Sequence, residues 1–345
     1  MILAGDTGGT KTLLALFDGG AMVRDEIFHC AEFASLEAIV AHFLGDSAPA
    51  LTAAAFGVAG PVLGRGLEQA AKITNLPWSI TARGLAAQLG GIPVALLNDL
   101  QATALGALVL PADAFAVLQP AQAGIADGTI AVIAPGTGLG EALLVHDGGG
   151  YRALPSEGGH ADFAPTTDEE IELLRYLRVR HAGHVSYERV LSGDGLGDLY
   201  GFCRASGRFG APGDEPGWLT QAIAAGDRNA AIAQAGLAGK DPACARAVAM
   251  FAEILGGEAG NLALRGLTTG GVVIGGGIPP KLLPALTAGG LIERFNDKGR
   301  FAPWTRGLGV RVCLEPRAAL FGAAHHAATL PTHATQERPK KDRTP

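Results

Sequence analysis

Residues 2–18 read ILAGDTGGTKTLLALFD, and residues 129–147 read TIAVIAPGTGLGEALLVHD. Each is a short apolar run, a Gly/Thr turn and a second apolar run ending in Asp. Glycines follow in both, Gly19–Gly20 in the first and Gly148–Gly150 in the second. Short apolar runs bounded by turn residues predict strands, so each stretch reads as strand, turn, strand. A plan repeated at so long an interval predicts two similar α/β lobes, because solenoid units are much shorter.

Further strands are expected in AAAFGVAG (53–60), VALLNDL (94–100), GGVVIGGG (270–277) and VRVCL (310–314). Helices fill the gaps. Thr167 and Glu170 have capping-box spacing ahead of Ile171, Leu174 and Leu177, which share one helical face. Asp241-Pro242 supplies a cap and a first-turn proline for a long helix through Leu264. Gly256, Gly257 and Gly260 weaken that helix, so close packing against a neighbour is expected there. A last helix is expected from about Ala318 to Ala328. The lobes are expected at residues 1–105 with 306–330, and at 106–305, with the last strand and helix returning to the first lobe. Residues 331–345 are polar and contain prolines, and are expected to form a disordered tail.

The length of 345 residues suits two compact domains. With 48% hydrophobic and 17% charged residues, the chain can bury a large core, and wholesale disorder is excluded. The 51 glycines are scattered, which points to tight turns and close backbone approaches. The net charge is −6, and the one basic cluster is Arg338, Lys340, Lys341 and Arg343 in the tail, which argues against a nucleic-acid partner. Anionic small molecules remain compatible, since backbone amides and helix ends bind phosphate locally. Cys30, Cys203, Cys244 and Cys313 are far apart and form no C-x-x-C pair, so four reduced thiols are expected rather than a zinc knuckle or disulfide framework. The start, MILAGDTGG, lacks the features of a signal peptide, and no run of ~20 apolar residues occurs. These features predict a cytoplasmic protein with no membrane partner.

The turn Asp6-Thr7-Gly8-Gly9-Thr10-Lys11 is a candidate phosphate site. Glycines let N–H groups approach anionic oxygens, threonines add donors, and Asp6 could hold Mg²⁺ directly or through water. A plain Gly-rich hairpin is the alternative. A P-loop requires Gly-Lys-Ser/Thr opening a helix, whereas Lys11 follows Thr10 and leads into a strand. GTGLG (136–140) fails as a dinucleotide turn for the same reason. Gly136, Thr137 and Gly138 instead form a second turn of the first kind, and two such turns could hold a triphosphate. Gly275, Gly276 and Gly277 end a strand, where an adenine could lie on the backbone or the chain could simply turn.

Polar groups of a different kind recur elsewhere. Asp99 ends an apolar strand, placed either to take a proton from an attacking hydroxyl or to cap the next helix. Asn98 beside it could bond a hydroxyl through both amide ends. Glu157 and His160 flank two glycines, as a polyol site, a metal pair or a surface ion pair would require. Glu188 stands at a helix start, as a sugar contact or a first-turn acid, and Asn75 lies in the loop TNLPW (74–78).

In chain order, GDTGGTK (5–11), TNLPW (74–78), LLNDLQATALG (96–106), APGTGLGEALLV (134–145), PSEGGHADFAP (155–165), GHVSYERVLSGDGL (183–196) and GGVVIGGGIPPK (270–281) closely resemble bacterial ATP-dependent glucokinases. These are the hexokinase-like branch of the actin/Hsp70/sugar-kinase superfamily. The resemblance covers about residues 2–328, and SEGGHADFAP and HVSYERVLSG are its most specific parts. It implies an α/β, two-lobed actin-like ATPase (ribonuclease H-like) fold with duplicated mixed sheets and a cleft between lobes. It also implies Asp99 as catalytic base, Asn98, Glu157, His160 and Glu188 as glucose ligands, and Asn75 at the sugar's edge. The turns around Gly8 and Gly138 match ATP phosphate sites, Gly275–Gly277 an adenosine site, and Mg²⁺ and a homodimer come with the family. Lys11 departs from the Asn frequent there and matches the related repressor/open-reading-frame/kinase group, whose zinc-binding Cys cluster has no counterpart here. Glu315-Pro316-Arg317 also departs from the usual proline-glycine-leucine pattern.

The expected reaction is γ-phosphate transfer from ATP to the 6-hydroxyl of glucose. The alternatives are another hexose or N-acetyl amino sugar, a non-catalytic sugar sensor on the same fold, and an ATPase without a sugar site. A sensor would carry an added helix-turn-helix, and the chain opens on its first strand. The reading requires Asp99 and the Glu157–His160 pair to meet around one pocket facing the two glycine turns.

Overall fold

The computed structural model describes residues 1–46, 49–73, 76–122, 127–210 and 215–331. The disordered-tail expectation therefore lies, beyond Pro331, outside the described residues. The chain divides into two compact units, Met1–Leu110 with the segment from Arg317, and Pro111–Pro316.

The first unit opens with strands β1 (Ile2–Thr7), β2 (Lys11–Asp18) and β3 (Ala21–His29), followed by helix α1 (Leu36–Leu44). Strand β4 (Ala53–Val58) leads into a small three-stranded sheet of β5 (Val62–Leu63), β6 (Ala70–Lys72) and β7 (Ser79–Thr81). Helix α2 (Ala82–Gln88), strand β8 (Val94–Asn98) and helix α3 (Asp99–Val109) follow. The main sheet runs β3-β2-β1-β4-β8, with β1–β2 and β2–β3 antiparallel and β1–β4 and β4–β8 parallel. Its two faces differ in residue size. Leu3, Leu14, Leu16 and Phe56 pack on one face with Leu36, Ile39 and Phe43 of α1. Ala4, Ala15, Ala53 and Ala55 line the other, against Leu320 and Ala323. Strand alternation sends successive side chains to opposite faces, so this pattern puts a bulky layer on one side and a thin one on the other.

The second unit contains β9 (Phe115–Gln119), β10 (Ile130–Pro135), β11 (Leu139–His146) and β12 (Tyr151–Ser156). Helices α4 (Asp168–Arg180), α5 (Gly193–Ala205), α6 (Gly217–Ala225), α7 (Arg228–Leu237) and α8 (Pro242–Gly266) come next. Strand β13 (Val272–Ile274), helices α9 (Leu283–Leu286), α10 (Gly290–Asn296) and α11 (Ala302–Thr305), and strand β14 (Val310–Cys313) complete it. Its sheet runs β12-β11-β10-β13-β14-β9. The first five of these strands repeat the first unit's order and its alternation of antiparallel and parallel pairs. The duplication visible in the two glycine stretches thus extends to whole mixed sheets. Helix α12 (Ala318–Ala328) belongs to the first unit.

Three expectations need correction. Strand β14 does not return to the first unit. Val310 and Val312 are buried where β14 pairs with β13 and β9, so only α12 goes back. The unit boundary also falls after α3, at Leu110/Pro111, instead of inside that helix. On α4 the buried face is Glu170, Leu173 and Leu177, and Ile171 is exposed. Thr167 caps α4 by accepting from the Glu170 N–H (3.2 Å), but Glu170 turns to the Thr166 N–H (2.6 Å) and to Arg294 (3.1 Å).

The long helix starts as expected, with Asp241 accepting from the Cys244 N–H and Pro242 in the first turn. It is long and apolar enough to cross a membrane by composition, yet 72% of its apolar window is buried inside the protein, as in a core helix. Its glycines face α10. A Cβ on Gly256 would stand 2.0 Å from the Leu291 oxygen, and one on Gly260 2.7 Å from the Phe295 oxygen. The four cysteines are free and buried.

Helices α3 and α12 meet through the same device. A Cβ on Gly322 would lie 1.8 Å from the Ala102 oxygen, and one on Gly106 2.0 Å from the Ala318 oxygen. Backbone cannot yield as a flexible side chain can, so overpacking here is expected to cost about 1–3 kcal/mol. Gly322→Ala should lower the urea midpoint accordingly, and an unchanged midpoint would mean that α12 is free to shift.

Candidate functional site

The first glycine turn joins β1 to β2. It closes through the Gly8 N–H on the Lys11 oxygen (2.9 Å) and is held from behind by Cys30, whose N–H reaches the Thr10 oxygen (2.9 Å) and whose thiol faces the Gly8 oxygen (3.6 Å). Thr7 is wholly buried and its Oγ1 has no hydrogen-bond partner, so its hydroxyl is not offered to a ligand at the surface of the turn. Thr10 and Lys11 are exposed, and Gly8 and Gly9 half-buried.

Asp6 precedes this turn, and Asp99 is close enough to repel it. Burial first, and the Asp99 charge second, push the Asp6 carboxyl up to about 7. Asp99 is the first residue of α3, one oxygen facing the Leu100 N–H (2.8 Å). The helix cap considered for Asp99 is Asn98 instead. Asn98 Oδ1 accepts from the Leu100 N–H (3.0 Å), and Gln101 returns the bond to the Asn98 N–H (3.1 Å). Asn98 Nδ2 donates to the Gly60 oxygen (3.2 Å), and its oxygen also accepts from the Gln101 N–H in a capping box, so both amide ends already serve backbone.

In the second unit, Pro135 ends β10 and Leu139 starts β11, so the second glycine turn spans Gly136–Gly138. Gly136 N–H bonds the Gly138 oxygen (2.8 Å), and the Gly193 N–H caps the Gly136 oxygen (2.9 Å). The third glycine run follows β13, the parallel neighbour of β10. Gly276 has φ +87°, and a Cβ there would stand 2.3 Å from the Pro135 oxygen. Gly136–Gly138 and Gly275–Gly277 are thus side by side at the carboxyl ends of two parallel strands, the edge where open α/β sheets bind ligands.

Glu188 joins this corner to the acid–imidazole pair. Its Oε2 accepts from the Leu139 N–H (3.1 Å), and a Cβ on Gly138 would come within 2.5 Å of the same oxygen. Its Oε1 lies 3.9 Å from His160 Nδ1, while Glu157 Oε2 lies 4.0 Å from His160 Nε2. The imidazole therefore stands between two carboxylates. Side-chain exposure falls from 82% at Glu157 and 59% at His160 to 28% at Glu188. The segments are held together by an Asp162–Ser186 bridge and by the Tyr187 N–H on the Ala161 oxygen (3.0 Å). Among the described residues no group of three or more His, Cys, Asp or Glu could hold a metal ion.

Asp6, Asn98 and Asp99 thus belong to the first unit, and Glu157, His160, Glu188 and two glycine runs to the second. Asn75 lies outside the described residues. Sequence reasoning passed over Glu141, which lies beneath the Glu157–His160 turn, and Glu258, and both are fully buried. The available signal was a carboxylate inside each of two apolar segments, LGEALLV and LGGEAGNLAL.

A family model described as Glucokinase matches residues 3–330. A glucokinase of Nostoc punctiforme is 38% identical, covering 96% of this chain and 99% of its own, and one of Nitrobacter hamburgensis is 36% identical, covering 93% and 95%. The crystal structure of a glucokinase from an Antarctic psychrotroph matches with TM-score 0.81 at 30% identity, over 95% of this chain and 99% of that one. A ROK family glucokinase from Streptomyces griseus, in complex with glucose and AMPPNP, shares the fold with TM-score 0.62 at 20% identity, over 95% and 99%.

The raised Asp6 value has a sign. Stability from this group is fully present below about pH 4 and is lost as the pH rises through about 7. In metal-free protein, carbon-13 NMR of labelled aspartate should show Asp6 titrating near 7, and Asp99→Asn should lower that midpoint. A midpoint indifferent to the substitution removes Asp99 as a cause.

Proposed function

The chain belongs to the glucokinase family, and from that premise we propose that it transfers the γ-phosphate of ATP to the 6-hydroxyl of glucose, giving glucose 6-phosphate and ADP. The observation that carries this reading is Glu188, whose carboxylate is tied at once to the second glycine turn and to His160. A phosphate-type turn and a polyol-type ligand set therefore share one anchoring side chain. We assign the actin-like ATPase (ribonuclease H-like) fold, which the shared strand order of the two main sheets supports.

Asn98, Glu157, His160 and Glu188 are assigned to the sugar hydroxyls, and Asn75 to its edge. The 6-hydroxyl oxygen attacks the γ-phosphorus, its proton passes to Asp99, and the bond to the ADP oxygen breaks. The amides of the turns around Gly8 and Gly138 donate to the phosphate oxygens, and Gly275–Gly277 offers backbone to the adenosine. Lys11, exposed on the first turn, adds positive charge for the phosphates. Asp6 suits Mg²⁺, because a carboxyl whose ionisation is opposed by burial and by Asp99 is relieved by a cation, and Mg²⁺ commonly uses only one or two carboxylates beside phosphates and water. When bound, the ion neutralises charge on the phosphates. A cytoplasmic homodimer is part of the same proposal.

A coupled assay with ATP and Mg²⁺ across glucose, mannose, fructose and N-acetylglucosamine should rank glucose first by kcat/KM. Asp99→Asn should depress kcat by about 10²–10⁴-fold while glucose binding stays near wild type. Turnover surviving within a few-fold removes Asp99 as the base, and ATP hydrolysis indifferent to sugar overturns the kinase reading.

A further inference from the structure

Glu141, beneath the Glu157–His160 turn, and Glu258 form a carboxyl pair to which the reaction above assigns no role. Glu141, on β11, is 1% exposed and Glu258, on α8, is 0% exposed. Glu258 is well supplied with donors. It pairs with Arg265 Nη1 and accepts from Asn261 Nδ2 (2.9 Å). Glu141 is not. Among the described residues neither of its oxygens receives a hydrogen bond from a nitrogen or hydroxyl donor, and Arg265 Nη1 stays 4.0 Å away. The group within hydrogen-bonding reach of Glu141 is Glu258 itself. Two carboxyls bond each other only when one carries a proton, and the one without other donors is Glu141.

This pair meets, directly or through Asn261, both segments that carry the second unit's proposed sugar ligands. A Cβ on Gly158 would lie 2.1 Å from Glu141 Oε2, so the turn from Glu157 to His160 rests directly on that carboxyl. Asn261 Nδ2 also donates to the Tyr187 hydroxyl (3.1 Å), next to Glu188. We propose that Glu141 is a positioning residue, holding the Glu157–His160 turn through a proton shared with Glu258, and that loss of this proton weakens glucose binding. The inference rests on the reading of these segments as sugar-binding.

The charged and titratable groups facing Glu141 are Glu258 and Arg265 from α8. Lys298 faces Glu258 through charge, and Tyr187, from the neighbouring turn, meets the pair through Asn261. Burial, then the Glu258 charge, raise the Glu141 carboxyl to about 8, with Arg265 opposing. Above that value a second buried anion forms under the turn, and its repulsion from Glu258 has no added counter-charge to offset it.

The test has two readouts. The first needs no sugar: in an ¹⁵N–¹H correlation spectrum of the whole protein, the Gly158 amide should shift with a midpoint near 8 and lose that step in Glu141→Gln. The second is kinetic. At saturating ATP and Mg²⁺ the KM for glucose should rise about threefold or more between pH 7 and 9 with kcat steady, and Glu141→Gln should flatten the rise. If that variant does not fold, Glu258→Gln, which leaves Glu141 free to pair with Arg265, should flatten it equally. A Gly158 amide that does not titrate, a wild-type KM that stays flat, or a rise that survives the substitution overturns the proposal. A chain that titrates at Gly158 but phosphorylates no sugar overturns the kinase reading and with it the positioning role, leaving the proton-sharing pair standing.

Discussion

Where another residue would carry a Cβ, this chain repeatedly sets a carbonyl oxygen. The oxygen of Ala102 fills that place at Gly322, Leu139 at Gly159, Pro135 at Gly276 and Leu291 at Gly256. These contacts seat α12 against α3, the Glu157–His160 turn on β11, the third glycine run beside the second, and α10 on α8. Any side chain at these positions would force two backbones apart, and backbone has little freedom to retreat. The site inherits its geometry from this constraint, because the segments carrying Glu157, His160 and the glycine runs are fixed by main-chain contact.

Charge is arranged on that frame by depth. In each unit one acid sits deep and protonates readily, Asp6 in the first and Glu141 in the second, each beside another carboxyl. A buried acid pair disfavours a second negative charge far more than a solvated one does, so Asp6 and Glu141 respond to pH.

Much of this was legible in the residues. The two glycine stretches gave the paired hairpins, and apolar runs with turn residues located β4, β8, β13 and β14 because strand burial leaves a short-range signature. Asp241-Pro242 and the glycines of α8 carried their meaning openly. What failed depended on distant partners. Only the pairing of Val310 and Val312 with β13 keeps β14 in the second unit. Only Arg294 and Thr166 draw Glu170 away from its own helix end. The proposed role of Asn98 as a ligand was readable from its neighbourhood, but its service to Leu100 and Gly60 was not, since Gly60 is remote in sequence. Glu141 and Glu258 escaped notice because each alone looks like an ordinary acid, and only the folded chain brings the two together.

Asn98 and Glu157 start from opposite conditions. The amide of Asn98 is already pinned from both ends by main chain, so contact with a ligand would freeze nothing further. Glu157 is largely in solvent, and its partner among the described residues is the His160 imidazole 4.0 Å away. Immobilising such a side chain gives up about 1.5–2 kcal/mol of rotational entropy. Recruitment of Glu157 would therefore leave its mark as a thermodynamic signature, with enthalpy gained at the second unit opposed by lost disorder there, while Asn98 contributes almost none.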